Sequence, residues 1–320
     1  MTQFTPAYIE QLCDDWCLAS VTSEEKIETG SRTEKFRLLA NGVNFYELSH
    51  ETLSTALIGL SKVLLRPGFN TFIDHDHYEL WSWCGELLLN PRSQLFPPTQ
   101  HEIKSLYETS IHAALANCRR PPASVQETME QWQTKMHIQA LQPHHAKLLL
   151  QKSHLVLAYL SFPLLEAVLK RACATFVAFD GQVLSAFSVP NKKGNPKSYD
   201  PNGKTLRDRQ CSSLRDLLFL HKSMVAPPQL KVLLDKFCTH LSSLDGTQDP
   251  FDLLYRWRNQ SLHGSTNIQT IGGSVLNLSL LISLFEMESG FEQYRLEVLD
   301  HCRRESQSSH KNDWSFYPPY

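Results

Sequence analysis

An arginine, an asparagine and a histidine lie close together near the end of one short segment, and these side chains could act on a phosphate group. The segment runs from Asp249 to Gly264 and contains Arg258, Asn259 and His263. An arginine guanidinium offers planar, permanently charged donors to a phosphate, and a histidine exchanges protons near neutral pH. The segment therefore carries both a phosphate ligand and an acid–base group.

The residues around this group predict a short helix over residues 250–263. Asp249 is a favourable N-cap, and Pro250 suits the first helical position, where a missing N–H costs nothing. Asn259 and His263 are four residues apart, so a helix places them on one face. We therefore expect the polar group at the C-terminal end of a capped helix.

The pattern Arg258-Asn259-x-x-x-His263 resembles the signature of the HEPN superfamily, helical domains of which many are metal-independent RNases. The resemblance implies RNA cleavage by attack of the ribose 2′-hydroxyl, without a cofactor. His263 would be the acid–base group, Arg258 the phosphate ligand and Asn259 the positioning residue. In this superfamily two copies of the motif usually meet across a two-fold axis, so a homodimer is also implied.

The resemblance leaves other interpretations open. Many HEPN-like domains are not catalytic and serve as RNA-binding or dimerisation modules, and so short a pattern also arises by chance. Among catalytic members, defence and toxin effectors are typical, and a regulatory protein or an antitoxin is a candidate partner. Ser265 stands where toxins paired with a nucleotidyltransferase antitoxin often carry tyrosine, which argues against that form of control.

Glu166 is an acidic residue inside an apolar helical stretch. It has two interpretations. It could face solvent on a half-exposed helix, the simpler alternative, or it could be the acidic group that some HEPN nucleases bring to the site from an early helix.

A positive cluster precedes the motif. Between Pro190 and Lys222 the chain has eight Lys or Arg residues against three Asp. A solvated, turn-rich loop over 190–204 would account for it, whereas an RNA-contacting surface would use the cations for phosphate binding without sequence choice. The residues that we expect to bind RNA are Lys192, Lys193, Lys197, Lys204, Arg207 and Arg209.

Apolar periodicity predicts a mainly α fold. Residues 1–120 are read as a mostly helical N-terminal domain of unknown role, and 121–143 as a linker rich in breaker residues. Residues 144–290 predict a long helix kinked by Pro163, two medium helices, the motif helix and a closing helix. This order is similar to the up-and-down bundle of HEPN domains. Residues 291–320 are expected to be a C-terminal tail, either disordered or docked.

Composition sets the remaining expectations. The net charge of −2 excludes a globally basic nucleic-acid binder but not a local basic site. Eight scattered cysteines favour buried thiols in the cytoplasm, and no signal peptide or membrane span is expected. The run Asp74-His75-Asp76-His77 invites a metal site, yet neighbouring residues on a helix diverge, so we expect capping and no metal.

Overall fold

The computed structural model describes residues 4–19, 33–65, 75–90, 93, 95–96, 100–117, 149, 152–246, 249–262, 271–307 and 316–317. These residues form a mainly α fold with one small two-stranded sheet, which confirms the predicted fold class. The predicted linker, 121–143, and His263 lie outside the described residues.

The helices fall on both sides of the predicted linker. Before it lie α1 (Pro6–Ala19), α2 (His50–Leu64), α3 (His75–Leu89) and α4 (His101–Asn117). After it come α5 (Ser153–Ala172), the hairpin strands β1 (Phe187–Pro190) and β2 (Pro196–Tyr199), α6 (Leu206–Arg209) and α7 (Leu214–Leu220). The chain continues through a π-helical turn (His221–Val225) to α8 (Pro228–Asp245), α9 (Pro250–Leu262), α10 (Ile271–Phe285) and α11 (Phe291–Gln307).

Helix α10 lies at the centre of the molecule, and nearly all of its residues are buried. Its sequence is apolar around the whole circumference, which is typical of a helix enclosed by others. Gly272 lets α10 approach α5 closely, because a Cβ there would lie 2.8 Å from the Ala158 nitrogen. Gly273 does the same towards α2 and α3, where a Cβ would lie 2.8 Å from Leu64 Cδ1.

The polar groups of α10 are satisfied by the helices before the linker. Trp81 Nε1 donates to Asn277 Oδ1 at 2.6 Å, and Asn277 Nδ2 donates to the Leu57 carbonyl at 3.2 Å. The Tyr107 hydroxyl donates to the Ser279 carbonyl at 2.9 Å. The described residues on both sides of 121–143 thus share one hydrophobic core. The division into two domains stays a prediction.

The prediction of a loop over residues 190–204 was wrong in part. Strands β1 and β2 pair antiparallel across it, from Phe187 opposite Tyr199 to Pro190 opposite Pro196. The side chains of Phe187, Val189 and Tyr199 are buried, so apolar residues fix the register of a hairpin whose second strand is otherwise polar. The first of the two medium helices, which we expected over residues 206–221 from its apolar spacing, is divided into α6 and α7.

The C-terminal region is more ordered than a tail. Residues 291–307 form α11, and Phe316 packs into the core. Glu86 of α3 is buried, and its Oε2 accepts N–H bonds from Phe316 at 2.8 Å and from Tyr317 at 3.3 Å. Of the two alternatives expected for the C-terminal tail, disordered or docked, residues 316 and 317 follow the second, because they are docked against α3.

Side chains of the Asp74-His75-Asp76-His77 run contact other parts of the fold. Asp76 is buried at the start of α3, and its carboxylate accepts the backbone N–H groups of Leu38 at 2.7 Å and Leu39 at 3.1 Å. Asp76 thus binds the start of a neighbouring short 3₁₀-helix (Leu39–Asn41). His77 Nε2 lies 3.1 Å from the Leu60 carbonyl.

Throughout the described ranges, no helix has both the length and the apolar character needed to cross a membrane.

A buried histidine in the π-helical turn should make the stability of the fold depend on pH. Burial lowers the pKa of His221 from 6.5 to about 4, and its side chain is 2% exposed. Between these two pH values the unfolded chain binds a proton that the folded chain does not, so stability falls as pH falls from 6.5 to 4. The full loss is on the order of 3 kcal/mol.

We expect His221→Leu to flatten the acid side of the stability curve. Urea unfolding of the wild type and the variant at pH 7 and pH 4.5 measures the change. The control is His101→Leu, which removes an exposed histidine from α4 and should retain the loss of stability that His221 causes at acid pH. An equal slope in wild type and His221→Leu would contradict the assignment.

Candidate functional site

Helix α9 begins as its sequence predicts. Asp249 Oδ1 accepts the backbone N–H of Phe251 at 3.0 Å, which caps the first turn. At the other end of the helix, the hydroxyl of buried Ser261 donates to the Arg258 carbonyl at 2.7 Å. The described part of the helix ends at Leu262, and His263 is the next residue in the chain.

Arg258 meets Glu166, and this is the contact that joins two of the predicted site residues. Arg258 Nη2 donates to Glu166 Oε2 at 3.0 Å, with side-chain exposures of 27% and 17%. The ion pair links the end of α9 to the middle of α5. Asn259 is partly buried at the adjacent position.

Lys170 is a member of the site that we did not predict from sequence. Its Nζ lies 3.0 Å from Glu166 Oε1, and its side chain is only 13% exposed. The two oxygens of one carboxylate therefore hold two different cations. The spacing of Glu166 and Lys170, four residues apart on one helix, was the signal that could have suggested this contact.

The predicted RNA-binding cations divide into two groups. Lys197 is engaged, since its Nζ lies 2.8 Å from Asp216 Oδ2 and 2.6 Å from the Tyr199 hydroxyl. The others are exposed on the hairpin turn and the segment after β2: Lys192, Lys193, Lys204, Arg207 and Arg209.

Arg215 does not contribute to an exposed positive surface, although it belongs to the positive cluster in the sequence. Its side chain is buried, with Nη2 2.6 Å from Asp249 Oδ2 and Nε 2.9 Å from Asp252 Oδ1. Its Nη1 donates to the Pro190 carbonyl at 2.5 Å. Arg215 therefore fastens the start of α9 to the end of β1.

The arrangement suits the binding of an anion. Glu166, Lys170 and Arg258 together carry a net charge of +1, and Arg258 is partly exposed. Two cations that share one carboxylate are held in fixed positions, and a phosphate could bind to both without much reordering. In the described ranges, no group of three or more His, Cys, Asp or Glu residues is placed to hold a metal ion.

Comparisons with known proteins identify no relative. No family model matches the chain. Neither the curated proteins nor the solved structures contain a match.

Loss of the Arg215 side chain should destabilise the fold strongly. Arg215→Met leaves the carboxylates of Asp249 and Asp252 without their main partner, at a cost of about 3 kcal/mol. The matched control is Arg304→Met, since Arg304 pairs with Asp300 on the exposed side of α11 and should contribute less than about 1 kcal/mol. Chemical denaturation measures both values, and equal losses would show that the buried network has no special role.

Proposed function

We propose that the chain is a metal-independent endoribonuclease of the HEPN type, acting as a defence or toxin effector. The observation that carries the proposal is the Arg258–Glu166 ion pair at the end of α9. It fixes an arginine beside the position where the chain continues into His263. The motif supplies the acid–base group, and the ion pair supports a fixed phosphate ligand five residues before it in the sequence.

The proposed reaction follows from these residues. The ribose 2′-hydroxyl attacks the adjacent phosphorus and loses its proton, while the 5′-oxygen of the next nucleotide leaves and gains one. A histidine suits either proton transfer, because its pKa lies near neutrality. Arg258 would donate to the non-bridging oxygens as negative charge develops on them. Asn259 would orient the histidine or the phosphate.

The proposal includes partners. A second copy of the chain would supply the other motif, as the resemblance implies, and RNA is the substrate. The five exposed cations of the hairpin region (Lys192, Lys193, Lys204, Arg207 and Arg209) would contact phosphates away from the scissile bond. A regulatory protein or an antitoxin would restrain the activity. Six of the seven described cysteines are buried, and buried thiols would suit a reducing compartment such as the cytoplasm.

One observation favours a second candidate function. Arg258 is already paired with Glu166, so it could serve only to hold α9 against α5. In that case the chain would be a non-catalytic HEPN-like module that dimerises or binds RNA.

Cleavage assays on single-residue variants separate the two functions. The wild type should cleave RNA in the presence of a chelator, and both His263→Ala and Arg258→Ala should reduce the rate at least about a hundredfold. Products should end in a 2′,3′-cyclic phosphate, because the 2′-oxygen is the nucleophile. Product ends are identified by mass spectrometry.

Matched controls exclude indirect effects. Arg256→Ala removes an exposed arginine from the same helix, and His101→Ala removes an exposed histidine from α4. Both should retain activity, and circular dichroism should show that every variant folds. Cleavage that persists in His263→Ala would refute the assigned acid–base group. Bound but uncleaved RNA, in the monomer and the dimer alike, would favour the non-catalytic module.

A further inference from the structure

We infer that the exposed face of α5 is a subsite for unpaired RNA, in which Lys170 binds a phosphate and Tyr159 stacks on a base farther along the same strand. The inference rests on the proposed function, since it extends the same site along a neighbouring helix. It assigns binding roles to two residues outside the Arg-Asn-x-x-x-His pattern.

The first argument is the position of Lys170. Its Nζ and Arg258 Nη2 each lie 3.0 Å from an oxygen of the Glu166 carboxylate. The two cations are therefore neighbours, and one phosphodiester can contact both. Since the three charges sum to +1, a phosphate that approaches them meets a net attraction.

The second argument is the stripe that runs along α5. Tyr159, Pro163, Glu166 and Lys170 follow one another at intervals of four, three and four residues, which places them on one face of the helix. From residue 161 to residue 170, only Pro163, Glu166 and Lys170 are not buried. Tyr159 itself is 42% exposed, although α5 is apolar around it. At a rise of about 1.5 Å per residue, Tyr159 lies about 16 Å from Lys170 along the helix, so its ring suits a base that is a few nucleotides away on the same unpaired strand.

Helices α9 and α10 both contact this part of α5. Arg258 of α9 contacts Glu166, whereas Gly272 of α10 packs against Ala158, one residue before Tyr159. The stretch from 158 to 166 thus lies between two fixed contacts. It belongs to the same region of the molecule as the motif helix.

An ordinary helix-stabilising pair would also place a lysine four residues after a glutamate. The chain offers a pair of the same spacing in the reverse order: Lys104 and Glu108 of α4 lie 3.9 Å apart, with side-chain exposures of 33% and 29%. The Lys170–Glu166 pair is shorter and more buried, and its carboxylate has a second cation. Lys104 therefore provides a matched control.

The experiment measures binding to a 2′-O-methyl RNA of about ten unpaired nucleotides, which cannot be cleaved because it lacks the 2′-hydroxyl. Fluorescence anisotropy at several salt concentrations gives the dissociation constant and its salt dependence. Lys170→Met should weaken binding about fivefold and reduce the slope of log Kd against log salt by about one. Tyr159→Ala should weaken binding about tenfold and leave the slope unaltered.

A third variant gives a result that a structural role would not produce. Glu166→Gln removes the negative charge from the site, so it should tighten binding of the same oligonucleotide. The controls Lys104→Met and Tyr8→Ala remove a paired lysine and a similarly exposed tyrosine elsewhere, and both should bind like the wild type. Thermal unfolding of each variant confirms that it folds.

The outcomes distinguish this inference from the proposed function. The subsite would be overturned if Lys170→Met bound the oligonucleotide with the same affinity and salt dependence as the wild type. It would also be overturned if Tyr159→Ala bound with the same affinity as the wild type. No binding of the oligonucleotide by the wild type would overturn it as well, even if ordinary RNA is cleaved. The expected binding pattern in a protein that never cleaves RNA would uphold the subsite and reject the catalytic proposal.

Discussion

The nearly complete burial of α10 is the constraint on which the rest of the structure depends. A helix that is apolar on every side has to be enclosed, and two adjacent glycines allow α5 on one side and α2 and α3 on another to approach its backbone. Its few polar groups are met by Trp81 and Tyr107 from the earlier helices. Because α10 fixes α5, it also fixes the helix that presents Glu166.

Charged groups then determine where α9 lies. At its start, Arg215 joins Asp249 and Asp252 to the hairpin. Near its end, Arg258 joins α5 through Glu166. The two ion pairs differ in character, since the first is buried and the second borders solvent. A buried arginine that satisfies several acceptors holds a helix in one orientation, whereas a partly exposed arginine remains accessible to an anion.

Strong local signals made the helices predictable. Asp249 and Pro250 mark the start of α9, Pro228 marks the start of α8, and apolar spacing identifies α1 and α2. The hairpin was not recognised, because only Tyr199 of β2 is buried and the turn residues are those of any loop. Within the site, spacing placed Arg258 on α9, but only tertiary packing could show that Glu166 faces it. The same packing distinguished engaged Lys197 from its exposed neighbours.

The shared core has a consequence for how this chain could have changed over time. A module that folds by itself can be duplicated, fused to new neighbours or lost without harm to the remainder. Here the helix that carries Glu166 packs on a helix whose other sides are covered by residues from the first 120. Loss of α2, α3 and α4 would therefore expose the apolar surface of α10, against which the helix of the candidate site packs. The two parts of the chain would have to diverge together.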